Sequence, residues 1–364
     1  EQARGAESRA APGDPPARNA DPMRVAMYYS NNDVRVEDMP VPSVGPGELL
    51  VRVEAGGICG SDVMEWYRRH RVPLVLGHEI AGVVAAAGDG VERLKPGDRV
   101  SASHHVPCNA CRYCLAGAHT VCDTLRATSF DPGGFAEFVR VPALNARFGV
   151  YPLPDGVTFE EATFIEPLAC VLRAQRKAGV APGRSVLVLG SGIAGILHVH
   201  LARALGASPV AATDVADFRL RAAARLGADA VFHASDDVPS RFREINGGFL
   251  ADVVVVCTGA LPALQQALRS VERHGVVIFF APADQGASLA LPFNELFWRN
   301  DVTLTTSYAA SPADHFAALE LIGSRRVNVR EMITHRLPLA EARLGFQLTA
   351  AAAESLKVVI EPQK

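Results

Sequence analysis

The 364-residue chain carries 36 Lys and Arg against 39 Asp and Glu, a net charge of -3, and 49% of its residues are apolar. That balance excludes the basic footprint of a nucleic-acid binder or an anionic-membrane binder. No apolar run approaches the roughly 18 residues a membrane-spanning helix needs, and the length suits two ordinary domains.

Residues 1–22, EQARGAESRAAPGDPPARNADP, lack large apolar side chains and an apolar signal core. They are expected to form a flexible tail, with the first domain beginning near Met23. From Met23 to Tyr151, short apolar stretches such as ELLVRVEAGG and HEIAGVVAAAG alternate with turns, the texture of a compact β domain. Within it, Cys108, Cys111, Cys114 and Cys122 are spaced C-x2-C-x2-C-x7-C. Four thiolates in one short loop can close a tetrahedral shell around a structural zinc ion. An iron–sulfur cluster is the rival reading. In that pattern the fourth cysteine follows after three residues and precedes proline, whereas Cys122 precedes Asp123. Seven cysteines and no secretory signal point to a reducing, cytoplasmic setting, where clustered thiols are metal ligands rather than disulfides.

A second constellation is dispersed: Cys59 in GGICGSD, His78 in VLGHE and Glu166 in FIEPLAC. One thiolate, one imidazole and one carboxylate with an open fourth position suit a catalytic zinc ion, although spacing alone does not join them.

The second half alternates strand and helix. SVLVLG (Ser185–Gly190) reads as a buried strand and IAGILHVHLARALGA as a helix ended by Gly206. SPVAATD is a strand, FRLRAAARLGA a helix and ADVVVVCTG a strand. LPALQQALRSVERHG is expected to be a helix running to Gly275, followed by the strands VVIFFA and DVTLTTSY (Asp301–Tyr308). Such alternation builds a parallel sheet covered on both faces. The remainder, including VREMITHRLPLAEARLGF, is expected to return to the first domain. At the first strand-to-helix turn, Gly190-Ser191-Gly192-Ile193-Ala194-Gly195 forms G-x-G-x-x-G, and Asp214 ends the next strand. This is the dinucleotide fingerprint: backbone room for a pyrophosphate at a helix N-terminus, and a carboxylate for ribose hydroxyls. Asp214 would repel a 2′-phosphate and so favours NAD over NADP, while Arg219 lies close enough to receive one.

In chain order, GGICGSD, GHEIAG, the four-cysteine loop, EPLAC, GSGIAG and ATDVADFRL resemble the zinc-dependent medium-chain dehydrogenases, nearest their sorbitol and threonine dehydrogenase branch. The likeness runs from about Met23 to the C-terminus. It implies an α/β fold. A GroES-like β-rich catalytic domain (23–163 and 309–364, with a zinc lobe at 104–123) would be interrupted by a Rossmann doubly wound parallel sheet (164–308). It implies one structural and one catalytic zinc per chain, the latter on Cys59 and His78 with Glu166 or Glu79. Asp62 would hold His78. Asp214 and Arg219 would line the NAD ribose, with Ile193, Ala194, Thr258, Ala281 and Tyr308 completing the cofactor contacts. Ser61 would take the alcohol proton.

One position departs from the pattern. The relatives carry a proton-relaying histidine five residues after the ligand cysteine, and this chain has Met64 there. His104 and His105 are the expected substitutes. The arginines of EWYRRHRVP (Glu65–Pro73), a loop shorter than in the relatives, read as a solvated face. The expected activity is hydride transfer from a secondary alcohol of a polyol or sugar to NAD, in a homotetramer or homodimer. A hydroxy amino acid is the alternative substrate. A non-catalytic zinc-lobe binding protein and a zinc-free quinone reductase are the readings from other classes.

Overall fold

The computed structural model describes residues 22–364; the expected tail lies outside them except for Pro22. Strand β1 (Pro22–Ser30) pairs with β2 (Asp33–Pro40) and with the short β4 (Leu74–Val75). A larger sheet is built on β3 (Leu49–Gly57), whose inward and outward positions alternate as a half-buried strand requires. It pairs with β5 (Glu79–Ala87) and β7 (Phe138–Val141), and β5 leads on to β6 (Arg99–Ser103) and β8 (Val150–Pro152).

The second sheet is parallel throughout: β9 (Val186–Leu189), β10 (Val210–Asp214), β11 (Ala230–His233), β12 (Ala251–Val256), β13 (Val271–Phe279) and β14 (Thr303–Thr306). Their spatial order is β11-β10-β9-β12-β13-β14. That is the doubly wound order, which reverses direction between β9 and β12 and opens a crevice there. Every residue of β9 is buried, as expected of a strand covered on both faces. The chain then returns to the first sheet: β15 (Ile333–Pro338) pairs with β16 (Lys357–Glu361), and β16 pairs with β3.

The helix Ile165–Ala178 links the two halves. It buries Ile165, Leu168, Ala169, Val171, Leu172 and Ala178 at helical spacing and stops at left-handed Gly179. Its apolar face shares one core with Ile196, Leu197 and Leu201 of the helix Ile193–Ala204 and with Ala55 and Ala81 of the first sheet.

Two local expectations change. The helix expected to reach Gly275 ends at Ser270, and Val271 is already extended and paired with Ala251. Residues 272–275 then loop out before Val276 rejoins β12 opposite Val253, with His274 taking a positive φ of 61°. The buried slot beside β12 outweighs the helical pattern. In addition, β11 and the helix Val238–Ile245 were not foreseen; that helix is capped by Asp237 and has proline in its first turn, a start signal present in the sequence. Among the described residues, no helix is long and apolar enough to cross a membrane.

Two measurements follow. Gly195 packs so closely on Gly190 that an added Cβ would collide with the Gly190 carbonyl oxygen, and neither backbone can yield cheaply. Gly195→Val is expected to cost about 1–3 kcal/mol, lowering Tm by several degrees in a thermal melt. His198 is wholly buried beside Gln175, whose amide donates to the His198 carbonyl oxygen at 2.7 Å. Burial lowers its pKa from 6.5 to about 3. Below pH 6.5 the unfolded chain therefore binds a proton that the folded chain refuses. The stability contribution is complete above pH 6.5 and declines toward pH 3, by up to about 1.4 kcal/mol per pH unit. His198→Gln should flatten that part of a plot of urea midpoint against pH.

Candidate active site

The turn between β3 and the helix Glu65–Arg68 is closed by Asp62. This side chain is wholly buried; its Oδ2 accepts from the Cys59 amide at 3.0 Å, and its Oδ1 lies 3.3 Å from His78 Nδ1. Burial works to raise the Asp62 pKa, but His78, Arg68 and the Cys59 amide hold it below the ordinary value. For His78 the balance is the mirror image. Burial disfavours its charge, yet Asp62 and then Cys59 keep its pKa well above 6.5. With Nδ1 engaged by Asp62, Nε2 is the nitrogen left for a metal.

Cys59, His78 and Glu79 place one ligand atom each within 4.8 Å of the others. A thiolate, an oriented imidazole and a carboxylate are borderline-soft donors that fit zinc. Glu166 does not join that group; it sits in the first turn of Ile165–Ala178, where its Oε1 lies 3.5 Å from the Cys170 thiol. Burial, with Glu166 beside it, pushes the Cys170 pKa well up, so this thiol stays protonated. Glu79 carries a partner that sequence reasoning missed: the wholly buried Lys357 of β16 forms an ion pair with it. The available signal was a lysine alone in the apolar run Leu356–Ile360.

The structure corrects the expectation of a solvated arginine face at one residue. The Arg68 side chain is only 12% exposed, and it reaches the Ser61 carbonyl oxygen (3.2 Å), the Ser61 hydroxyl (3.5 Å) and Asp62 (3.4 Å). Met64 ends in the N-cap position of the helix Glu65–Arg68.

The rings of His104 and His105 lie with centres 3.7 Å apart, tilted by 31°, and His104 also lies 4.8 Å from the His78 ring. Burial lowers both of their pKa values, so both imidazoles are neutral at neutral pH. His105 Nε2 is 3.2 Å from the hydroxyl of Tyr308, which is half exposed. Tyr308 thus stands beside these imidazoles.

The four lobe cysteines also converge, their ligand atoms lying within 4.8 Å of one another. The backbone amides of Ala110 and Cys111 point at Cys108 Sγ (3.5 and 3.3 Å), and these contacts lower its pKa. Burial opposes ionisation of Cys122, but amides of Cys108 and Leu125 bring it down to about 6. Four converging sulfurs with amide donors are what a closed zinc shell requires.

At the crevice between β9 and β12, Gly190 takes a φ of 94°, and a Cβ there would press on Cys257 and Thr258 of the neighbouring strand end. Gly192 caps the helix Ile193–Ala204, whose first turn contains Ala194, with the Arg219 guanidinium 3.8 Å from where a Gly192 Cβ would stand. The Asp214 carboxylate accepts from the Ser191 amide (2.7 Å) and the Ala216 amide (2.9 Å), which fixes the turn. Ala281 follows β13, its amide bonded to Val256 at 3.1 Å.

Comparison with known proteins agrees with this geometry. Residues 45–155 match the alcohol dehydrogenase GroES-like domain, and residues 194–324 match the zinc-binding dehydrogenase domain. The chain is 33% identical to sorbitol dehydrogenase from Gallus gallus (92% of this chain, 95% of that one) and 34% identical to the Homo sapiens enzyme (92% and 94%). A putative zinc-binding dehydrogenase from Sinorhizobium meliloti, solved bound to NADP, superposes with a TM-score of 0.85 at 30% identity, covering 94% of this chain and all of that one. With both domains matched and more than nine-tenths of its length aligned, the chain belongs to the zinc-dependent medium-chain dehydrogenases, oxidoreductases that use zinc and a nicotinamide cofactor, on their sorbitol dehydrogenase-like side.

Proposed function

We propose that the protein oxidises a secondary alcohol of a polyol or sugar with NAD, reversibly, in a cleft shared by a catalytic domain (23–163 and 309–364) and a nucleotide domain (164–308). The observation that carries this reading is the convergence of Cys59, His78 and Glu79, with Ser61 two residues after Cys59 in the same turn. Zinc held there supplies Lewis acidity that makes a bound alcohol acidic near neutral pH. NAD on the Gly190–Gly195 turn provides the hydride acceptor.

The chain's own residues do the rest. Asp62 fixes the His78 tautomer, Arg68 anchors the Ser61 backbone and hydroxyl, and Ser61 takes the substrate proton. With Met64 in the relay position, the neutral His105 and the Tyr308 hydroxyl carry that proton toward solvent. NAD is preferred because a 2′-phosphate would meet the Asp214 carboxylate.

Two experiments test these assignments. Polyols, sugars and hydroxy amino acids are assayed with NAD and with NADP, following absorbance of the reduced cofactor. Polyols with NAD should react fastest, and Asp214→Ser should narrow the preference over NADP; turnover confined to amino acids, or to NADP, would defeat the assignment. His105→Ala and Tyr308→Phe should each lower kcat/KM by roughly a hundredfold, the lower end of what positioned proton transfer contributes. Because His105 accepts a proton only above its lowered pKa, the acid limb of the wild-type profile lies below pH 6.5 and should vanish in His105→Ala. An unchanged profile would remove His105 from the path.

A further inference from the structure

We propose that Lys357 is a positioning residue for the catalytic metal: it shares the Glu79 carboxylate with the ion and so keeps that ligand exchangeable. The inference rests on reading Cys59, His78 and Glu79 as the metal site.

Lys357 has no exposed surface, and 278 residues separate it from Glu79 in the chain. Its ammonium also donates to the Ile58 carbonyl oxygen at 3.3 Å and lies 5.6 Å from the centre of the Phe164 ring. Gly57 makes the pair feasible, since a Cβ there would collide with both side chains. Among the described residues, Glu79 is the only acid within ion-pair distance of it. Stability alone does not explain such a pair. Well-packed apolar residues of similar volume usually hold a core as well or better than a buried ion pair.

The placement has a chemical consequence. A carboxylate that already shares its charge with an ammonium is a weaker donor to a metal than an unshared one. Glu166, held by a neutral thiol, has no such competitor. Glu79 is therefore the ligand that yields when a substrate oxygen needs its place. Removing Lys357 has two opposed effects. Loss of an orienting partner loosens a metal, whereas loss of the cation that competes for the Glu79 carboxylate strengthens that carboxylate as a donor and tightens the metal, and for a wholly buried pair the competition is the larger effect.

The experiment follows zinc transfer from the holoenzyme to a chromogenic chelator. The wild type should release two zinc ions in two phases, one from the cysteine lobe and one from the cleft. Lys357→Met should slow the cleft phase roughly tenfold and Lys357→Arg should change it less than about twofold, with the lobe phase unaltered in both. Because Lys357 acts through Glu79, adding Lys357→Met to Glu79→Gln should change nothing further. Lys357→Gln carries the same expectation as Lys357→Met should the latter fail to fold. Cleft release at the wild-type rate or faster in the folded Met or Gln variant, or an equal effect on the Glu79→Gln background, would overturn the role. A wild type that holds lobe zinc alone would instead remove the metal reading itself.

Discussion

The cluster of Cys59, His78 and Glu79 depends on one buried carboxylate. Asp62 closes the turn after β3 through the Cys59 amide, fixes His78 at the mouth of β5 and receives Arg68 from the rim helix. Neighbouring strands deliver Cys59 and His78, but a β-sheet fixes backbones and leaves side chains to choose among rotamers. Asp62 removes that choice for the imidazole. Being buried, it can do so only while paired on both sides, which is why an arginine from an otherwise exposed helix is drawn inward to a side chain 12% exposed.

The interrupted chain serves the same end. The first sheet is incomplete until β16 returns from the far end of the sequence to pair with β3, and that return brings Lys357 to Glu79. The helix Ile165–Ala178 performs the complementary link. Its first turn holds Glu166 near the cluster, while its flank packs on the helix that begins the dinucleotide turn. A relative shift of the two halves would have to break that shared core, so metal and cofactor sites are registered by packing rather than by loops.

Legibility in the sequence followed the range of the interaction. The parallel sheet, its glycine turn and the cysteine lobe are written in short windows, because each is a local pattern of burial, φ angle or ligand spacing. The helix ending at Ser270 was overrun because its periodic pattern continues through residues whose backbone the sheet claims. Cys59, His78 and Glu166 are individually mute, and only their order among other motifs made them readable. Lys357 offered only its isolation in an apolar run, and Arg68 offered no signal. Their meaning lies in acids that folding alone brings to them, and in sequence one resembles a strand impurity and the other a surface charge.

The charges in the cleft argue for what belongs there. Asp62, Glu79 and Glu166 bring three carboxylates and Cys59 a thiol that ligates a metal as its anion; Lys357 and Arg68 are the two cations set among them, and Cys170 stays neutral. With Cys59 ionised and His78 neutral on a bound metal, the excess would be two negative charges, which a single divalent ion balances. The raised pKa of His78 has its cause in the same groups, since Asp62 and then Cys59 outweigh the cost of burying its charge. Metal and proton therefore compete for one nitrogen, and the pairing of Glu79 with Lys357 limits how far the balance tips toward the metal. A fully unshared set of anions would grip such an ion harder, whereas the shared Glu79 carboxylate would leave one donor weaker than the others.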